Sequence, residues 1–171
     1  CGGPQLIYLA EVPFDMDSFI EDVAEELRKS PTVVVAVSEG VRDRQGHYIA
    51  ASHQSGMVDV FGHKYLSGAG KTLEQQVRGR IGCKVRSIEL NLMQRCASHI
   101  ASLTDIEEAQ MLGTVAFQRA LDGESGNMAV IEREEGEHYQ VGFSTVDIKM
   151  IANREKLIPL SWINKRGNDV T

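Results

Sequence analysis

Cysteine, paired histidine and basic charge are all scarce in this sequence. The three cysteines, Cys1, Cys83 and Cys96, are odd in number and far apart. That argues against a disulfide framework or a zinc site and makes a reducing cytoplasm the expected compartment. The five histidines, His47, His53, His63, His99 and His138, share no helix face or paired motif, so metal-ligand spacing is missing as well. Lysine and arginine together number 18 against 24 aspartates and glutamates, for a net charge of −6. A general binder of nucleic acid or of an anionic membrane needs a basic face, and this balance argues against one. An anionic ligand remains possible only where positive charge is concentrated locally. The apolar run Thr32 to Val37 is far too short to span a membrane, and nothing resembles a signal peptide. No serine sits in a nucleophile-elbow pattern.

What is present reads as α/β. Gln5 to Val12 is a mostly apolar run that suits a buried parallel strand, and Pro13 ends it. Asp15 or Asp17 caps a helix whose inner stripe is Phe19, Ile20, Val23, Ala24 and Leu27, with Arg28 and Lys29 in its last turn. Pro31 stops that helix, and Thr32 to Val37 forms a second strand. Strand, helix and strand with short links make a βαβ unit, so the sheet is expected to be mainly parallel, in a three-layer sandwich. Ligands gather beyond the carboxyl ends of such strands, where this chain has Ser38-Glu39-Gly40. Residues 41–67 read as a long irregular loop, and Phe61-Gly62-His63 within it has no account from spacing alone.

Gly68-Ala-Gly-Lys-Thr72 invites comparison with a phosphate-binding loop and fails it. That motif requires glycine at the position of Tyr65 and a strand before it. Leu73, Val77 and Ile81 instead form the inner face of a helix starting near Lys71 and Thr72. The stretch Lys84 to Arg95 then opens as a strand, with Ile88, Leu90 and Leu92 alternating with polar neighbours, and carries Arg86 and Arg95 at its ends. An arginine where a strand runs out is a planar fork of donors matched to phosphate or carboxylate, although most arginines are solvated surface residues. Cys96, beside Arg95, reads as a small buried packing residue.

Thr104-Asp-Ile-Glu107 is a capping-box sequence. It opens a long helix whose stripe runs from Ile106 to Ala120 and which Gly123 stops. Asn127 to Arg133 is a strand, with Tyr139 to Ile148 as its antiparallel partner. A short helix over Ile151 to Leu157 follows. Trp162 is expected to pack the tail, and Lys165 to Thr171 to fray. The chain begins at Cys1 without an initiator methionine and enters a strand almost at once, which reads as a piece of something longer.

Taken in order, these residues resemble the 6-phosphofructokinases. The resemblance rests on Leu6 to Asp15 (L-I-Y-L-A-E-V-P-F-D), V-S-E-G at Val37 to Gly40, F-G-H at Phe61 to His63, V-R…Q-R at Val85 to Arg95, S-G-N-M-A at Ser125 to Ala129 and A-N-x-x-K-x-x-P at Ala152 to Pro159. It covers nearly the whole chain. It is closest to the branch that uses pyrophosphate, because R-C-A-S-H-I-A-S-x-T-D replaces the R-G-G-x-P-x-x-D of common ATP-dependent members.

By position, the resemblance implies that Glu39 hydrogen-bonds the hydroxyls of fructose 6-phosphate. Arg95 would help hold its 6-phosphate, and Arg86 would reach the same phosphate from a neighbouring subunit of a homodimer or homotetramer. The family has histidine at the position of Leu92, so that phosphate contact needs a replacement here. The family's donor loop, its T-I-D-x-D catalytic segment and its M-G-R segment are not among these residues. The expected division is therefore a sugar-phosphate domain over residues 1–101, followed by a return to a donor domain over 102–171. The donor is pyrophosphate or ATP, with Mg²⁺. The competing expectation is a non-catalytic module or subunit that binds a phosphorylated effector, favoured by the missing base and by Leu92. A purely structural α/β piece with solvated arginines is the weakest alternative.

Overall fold

The computed structural model describes residues 3–50 and 68–170. The chain forms two compact units, one of Cys1–Glu89 with Leu157–Thr171 and one of Leu90–Lys156. Phe61-Gly62-His63 lies outside the described residues.

The first unit is organised on a parallel pair, β1 (Leu6–Tyr8) and β2 (Val35–Val37), in the register Leu6 to Val35 and Tyr8 to Val37. Both are shorter than their apolar runs, although Gln5 extends the contact to Val34: its backbone amide donates to the Val34 carbonyl at 2.9 Å and its side-chain carbonyl accepts from the Val34 amide at 2.7 Å. The helix that crosses between them, α1 (Met16–Lys29), is capped by Asp15, whose carboxylate accepts from the Ser18 amide at 2.9 Å. It lays Phe19 and Val23 into the core. There Phe19 meets Tyr8 and Phe14 edge-on or tilted, with ring centroids 5.3–5.4 Å apart, a favoured aromatic geometry. The helix α2 (Ala69–Ile81) adds Leu73 and Val77 to the same core. Its start at Ala69, after a left-handed Gly68, confirms Lys71 and Thr72 as first-turn residues rather than a phosphate loop.

Several expectations are corrected. Residues 82–90 form no strand, because their backbone is held by α2 side chains instead of a ladder. Glu74 accepts from the Ser87 amide at 3.1 Å, and Arg78 donates to the Val85 carbonyl at 3.4 Å. After residue 90 comes a short helix, α3 (Asn91–Arg95), in the second unit. Cys96, which caps α3, is exposed rather than buried. The tail also does not fray. Asn168 is buried at 7% exposure, its carbonyl accepts from the Ile7 amide at 2.8 Å, and its side-chain amide donates to Asp22 at 2.8 Å. Trp162, in a turn of 3₁₀ helix, is 59% exposed, and the hydrogen bonds of Asn168 pin the tail.

Gly167 makes the pinned tail possible. Its φ is +75°, and a Cβ there would stand 2.9 Å from Val12 Cγ1. Gly167→Ala is therefore expected to cost about 1–2 kcal/mol from the left-handed backbone alone, with the clash adding to it. A lowered thermal midpoint checks this.

In the second unit, α4 (Leu103–Leu121) is capped by Ser102, whose hydroxyl accepts from the Asp105 amide at 3.0 Å. The cap thus falls two residues earlier than the Thr104 box, since Ser102 already offers an oxygen in extended geometry. Gly123, with φ +85°, ends the helix as expected. β3 (Asn127–Arg133) pairs antiparallel with β4 (Val141–Asp147). The last helix, α5, is Ile148–Ile151 and not 151–157, because Asp147 caps it through the Lys149 amide at 2.9 Å. No described residue of this unit is buried, and Leu103, Phe117 and Leu121 stay at least 65% exposed.

Candidate functional site

Beyond the carboxyl end of β2 the chain turns sharply at residues 38–40. The Ser38 amide donates to the Tyr8 carbonyl at 2.9 Å, which continues the β1–β2 pairing by one bond. Gly40 then passes so close to the turn after β1 that a Cβ on it would meet Ala10 Cβ at 3.2 Å. Glu39 lies between these two fixed points. The Ala69 backbone N–H, at the start of α2, donates to the Glu39 carboxylate. The other oxygen, Oε2, is buried and has no hydrogen-bond partner among the described residues. Burial, helped by the nearby Glu89 charge and opposed by the Ala69 N–H, pushes the Glu39 carboxyl above the usual range. A carboxylate oxygen placed this way is an acceptor waiting for donors, and a polyhydroxylated ligand brings donors.

The neighbouring amide in the chain, that of Gly68, donates to Glu89 at 3.2 Å. Consecutive amides at the α2 start thus hold two carboxylates, as a helix N-terminus favours. Further along α2, Glu74 is 7% exposed and saturated with donors. It accepts from the Ser87 hydroxyl at 2.7 Å, from Lys71 at 3.1 Å and from Arg78 at 2.7 Å. The Ser87 hydroxyl first, then the Ser87 amide and Lys71, lower its pKa to about 2.

The predicted binding residues fall in both units. Glu39 and Arg86 belong to the first, with Arg86 exposed between the two tethered residues Val85 and Ser87. Leu92 and Arg95 belong to the second, both exposed on α3, with Arg95 in its last turn. Sequence reading missed Glu74, Ser87 and Glu89. A glutamate between the apolar positions Leu73 and Val77 was the available signal, since a buried carboxylate requires a cluster of donors. Among the described residues, no group of three or more His, Cys, Asp or Glu side chains is arranged to hold a metal. The described residues thus offer no all-protein cage for a divalent cation such as Mg²⁺. No helix among them is long and apolar enough to cross a membrane.

The chain as a whole has counterparts among known proteins. The pyrophosphate-dependent phosphofructokinase of Marinobacter aquaeolei superposes with a TM-score of 0.76 at 28% identity, covering 99% of this chain and 38% of that one. The described chain is therefore an α/β portion of a phosphofructokinase-like fold. The pyrophosphate–fructose 6-phosphate 1-phosphotransferase of Xanthomonas campestris pv. campestris is 37% identical over 168 residues, covering 98% of this chain and 40% of that protein. The enzyme of the same description from Halomonas elongata is 34% identical over 168 residues, covering 98% and 39%. The chain belongs to the pyrophosphate-dependent phosphofructokinase family and spans about 40% of the length of these curated relatives. No family model matches it.

Proposed function

We propose that this chain is the acceptor-binding portion of a pyrophosphate-dependent 6-phosphofructokinase. The complete enzyme would transfer a phosphoryl group from pyrophosphate to the 1-hydroxyl of fructose 6-phosphate, with ATP as the alternative donor. The observation that carries the reading is Glu39. Its buried, unpartnered oxygen lies beyond the carboxyl end of a parallel strand, in a chain whose relatives bear that enzyme's name.

In this reading Glu39 accepts from the sugar hydroxyls, Arg95 holds the 6-phosphate, and Arg86 reaches a 6-phosphate bound by a second subunit. The active form is then a homodimer or homotetramer, in the cytoplasm. Leu92 leaves the phosphate with one contact fewer, which the backbone or another side chain replaces. Residues 1–101 form the sugar-phosphate domain, whose sheet becomes mainly parallel and three-layered in the complete enzyme, and 102–171 return to the donor domain. Phosphoryl transfer depends mostly on positioning and charge stabilisation. This portion fixes the acceptor, while the donor and Mg²⁺ are held elsewhere in the enzyme. Leu92 also favours a second reading, a non-catalytic module that binds a phosphorylated effector.

The test is coupled production of fructose 1,6-bisphosphate by the complete polypeptide, offered pyrophosphate and ATP separately. Activity with pyrophosphate alone supports the reading, and activity with neither donor transfers support to the effector module. Arg95→Ala is expected to raise KM for fructose 6-phosphate about tenfold or more, the equivalent of one charge-assisted hydrogen bond. A KM within about twofold of the parent, below the worth of such a bond, removes Arg95 from the phosphate site.

A further inference from the structure

Helix α2 contacts both candidate substrate residues of the first unit or their immediate neighbours. At its start, the Ala69 N–H donates to Glu39. One turn on, Glu74 takes both the amide and the hydroxyl of Ser87, at 3.1 and 2.7 Å. Arg78 then takes the Val85 carbonyl at 3.4 Å, and the Gly68 amide takes Glu89 at 3.2 Å. Arg86 is the residue between the Val85 and Ser87 tethers. The close approach is built in at Gly70, where a Cβ would stand 3.2 Å from Ser87 Cβ. Arg86 therefore leaves a backbone fixed on both sides, although no strand ladder supports it.

We propose that Glu74, acting through Ser87, is a positioning residue for sugar-phosphate binding. It fixes the backbone from which Arg86 reaches the 6-phosphate bound by a second subunit. This rests on the reading of Arg86 as a phosphate ligand. A buried carboxylate with this many donors is a rigid anchor, because each hydrogen bond removes one way for the segment to shift. An arginine fork loses much of its value when its base moves by an ångström.

The experiment uses the complete enzyme and four variants: Ser87→Ala, Ser87→Thr, Glu74→Gln and Arg86→Ala. Ser87→Ala removes one hydroxyl and is expected to raise KM for fructose 6-phosphate about tenfold or more, with kcat within twofold, as for loss of one hydrogen bond to a charged group in a positioning role. Ser87→Thr keeps the hydroxyl and is expected to restore the parent KM. Glu74→Gln keeps the volume but not the charge, and is expected to raise KM at least as much where it folds. A role in stability alone would lower the thermal midpoint of Ser87→Ala and leave KM unchanged, and that result overturns the proposal. Arg86→Ala separates the two levels. If it raises KM while Ser87→Ala does not, only the positioning role fails. If neither changes KM, the reading of Arg86 as a phosphate ligand fails with it.

Discussion

Phe19→Ala is expected to destabilise the fold by about 3–5 kcal/mol, the usual range for deleting a buried aromatic ring. Phe19 is 2% exposed and packs against both Tyr8 and Phe14, whose rings stand 5.3 and 5.4 Å from its own. The first unit has few large buried side chains, so neighbours cannot readily close the space. The ring also joins the inner face of α1 to Tyr8 of β1, whose carbonyl accepts from the Ser38 amide beside Glu39. Its loss is therefore expected to loosen the candidate site before the unit unfolds. Calorimetry of the parent and variant measures the first effect. The second appears as a higher KM for the sugar at temperatures where both proteins are still folded. A loss below about 1.5 kcal/mol would mean that the aromatic cluster repacks and is not the core's main contributor.

The elements legible in the sequence are those in which local pattern and tertiary context agree. The α1 stripe, the Gly123 stop and the β3–β4 hairpin followed from periodicity and capping chemistry, and each appears where those rules put it. Glu39 beyond the second strand was legible for the same reason, since strand ends are marked by composition. What failed was decided by side chains far apart in sequence. Ile88, Leu90 and Leu92 alternate as a strand would, yet they are 71%, 63% and 69% exposed. The backbone before them bonds to Glu74 and Arg78, which periodicity cannot register. The polar tail looked frayed because its partners, Asp22 and Ile7, lie about 150 residues upstream. Leu92 and Arg95 keep their sequence positions on α3, but their part in binding depends on residues that pattern does not supply.

Asp22→Ala is expected to cost about 2–3 kcal/mol, and the reason is a network that periodicity hides inside the α1 stripe. Asp22 is 3% exposed. One oxygen accepts from the Tyr8 hydroxyl and from the Asn168 side-chain amide, both at 2.8 Å, and the other meets the Arg166 guanidinium in an ion pair. Removing the carboxylate leaves a buried hydroxyl and a buried amide without their acceptor, and unpaired buried donors are costly. The full penalty for breaking a buried ion pair does not apply, because Arg166 is about half exposed and turns to water and to Glu25. The variant also carries a pH signature. Burial first, and then the bond to Asp22, raise the Tyr8 pKa above its ordinary value of 10.0. A phenol whose pKa is raised by folding contributes stability that is fully present below pH 10 and is lost as the pH climbs toward the folded-state value. Without Asp22 the Tyr8 pKa falls back toward its ordinary value, so the alkaline decline in stability is expected to be shallower in the variant than in the parent. Denaturation at neutral pH and again above pH 10 separates the two effects. Equal declines in both proteins would show that burial alone holds Tyr8 in its neutral form and that Asp22 serves chiefly to pin the tail to α1.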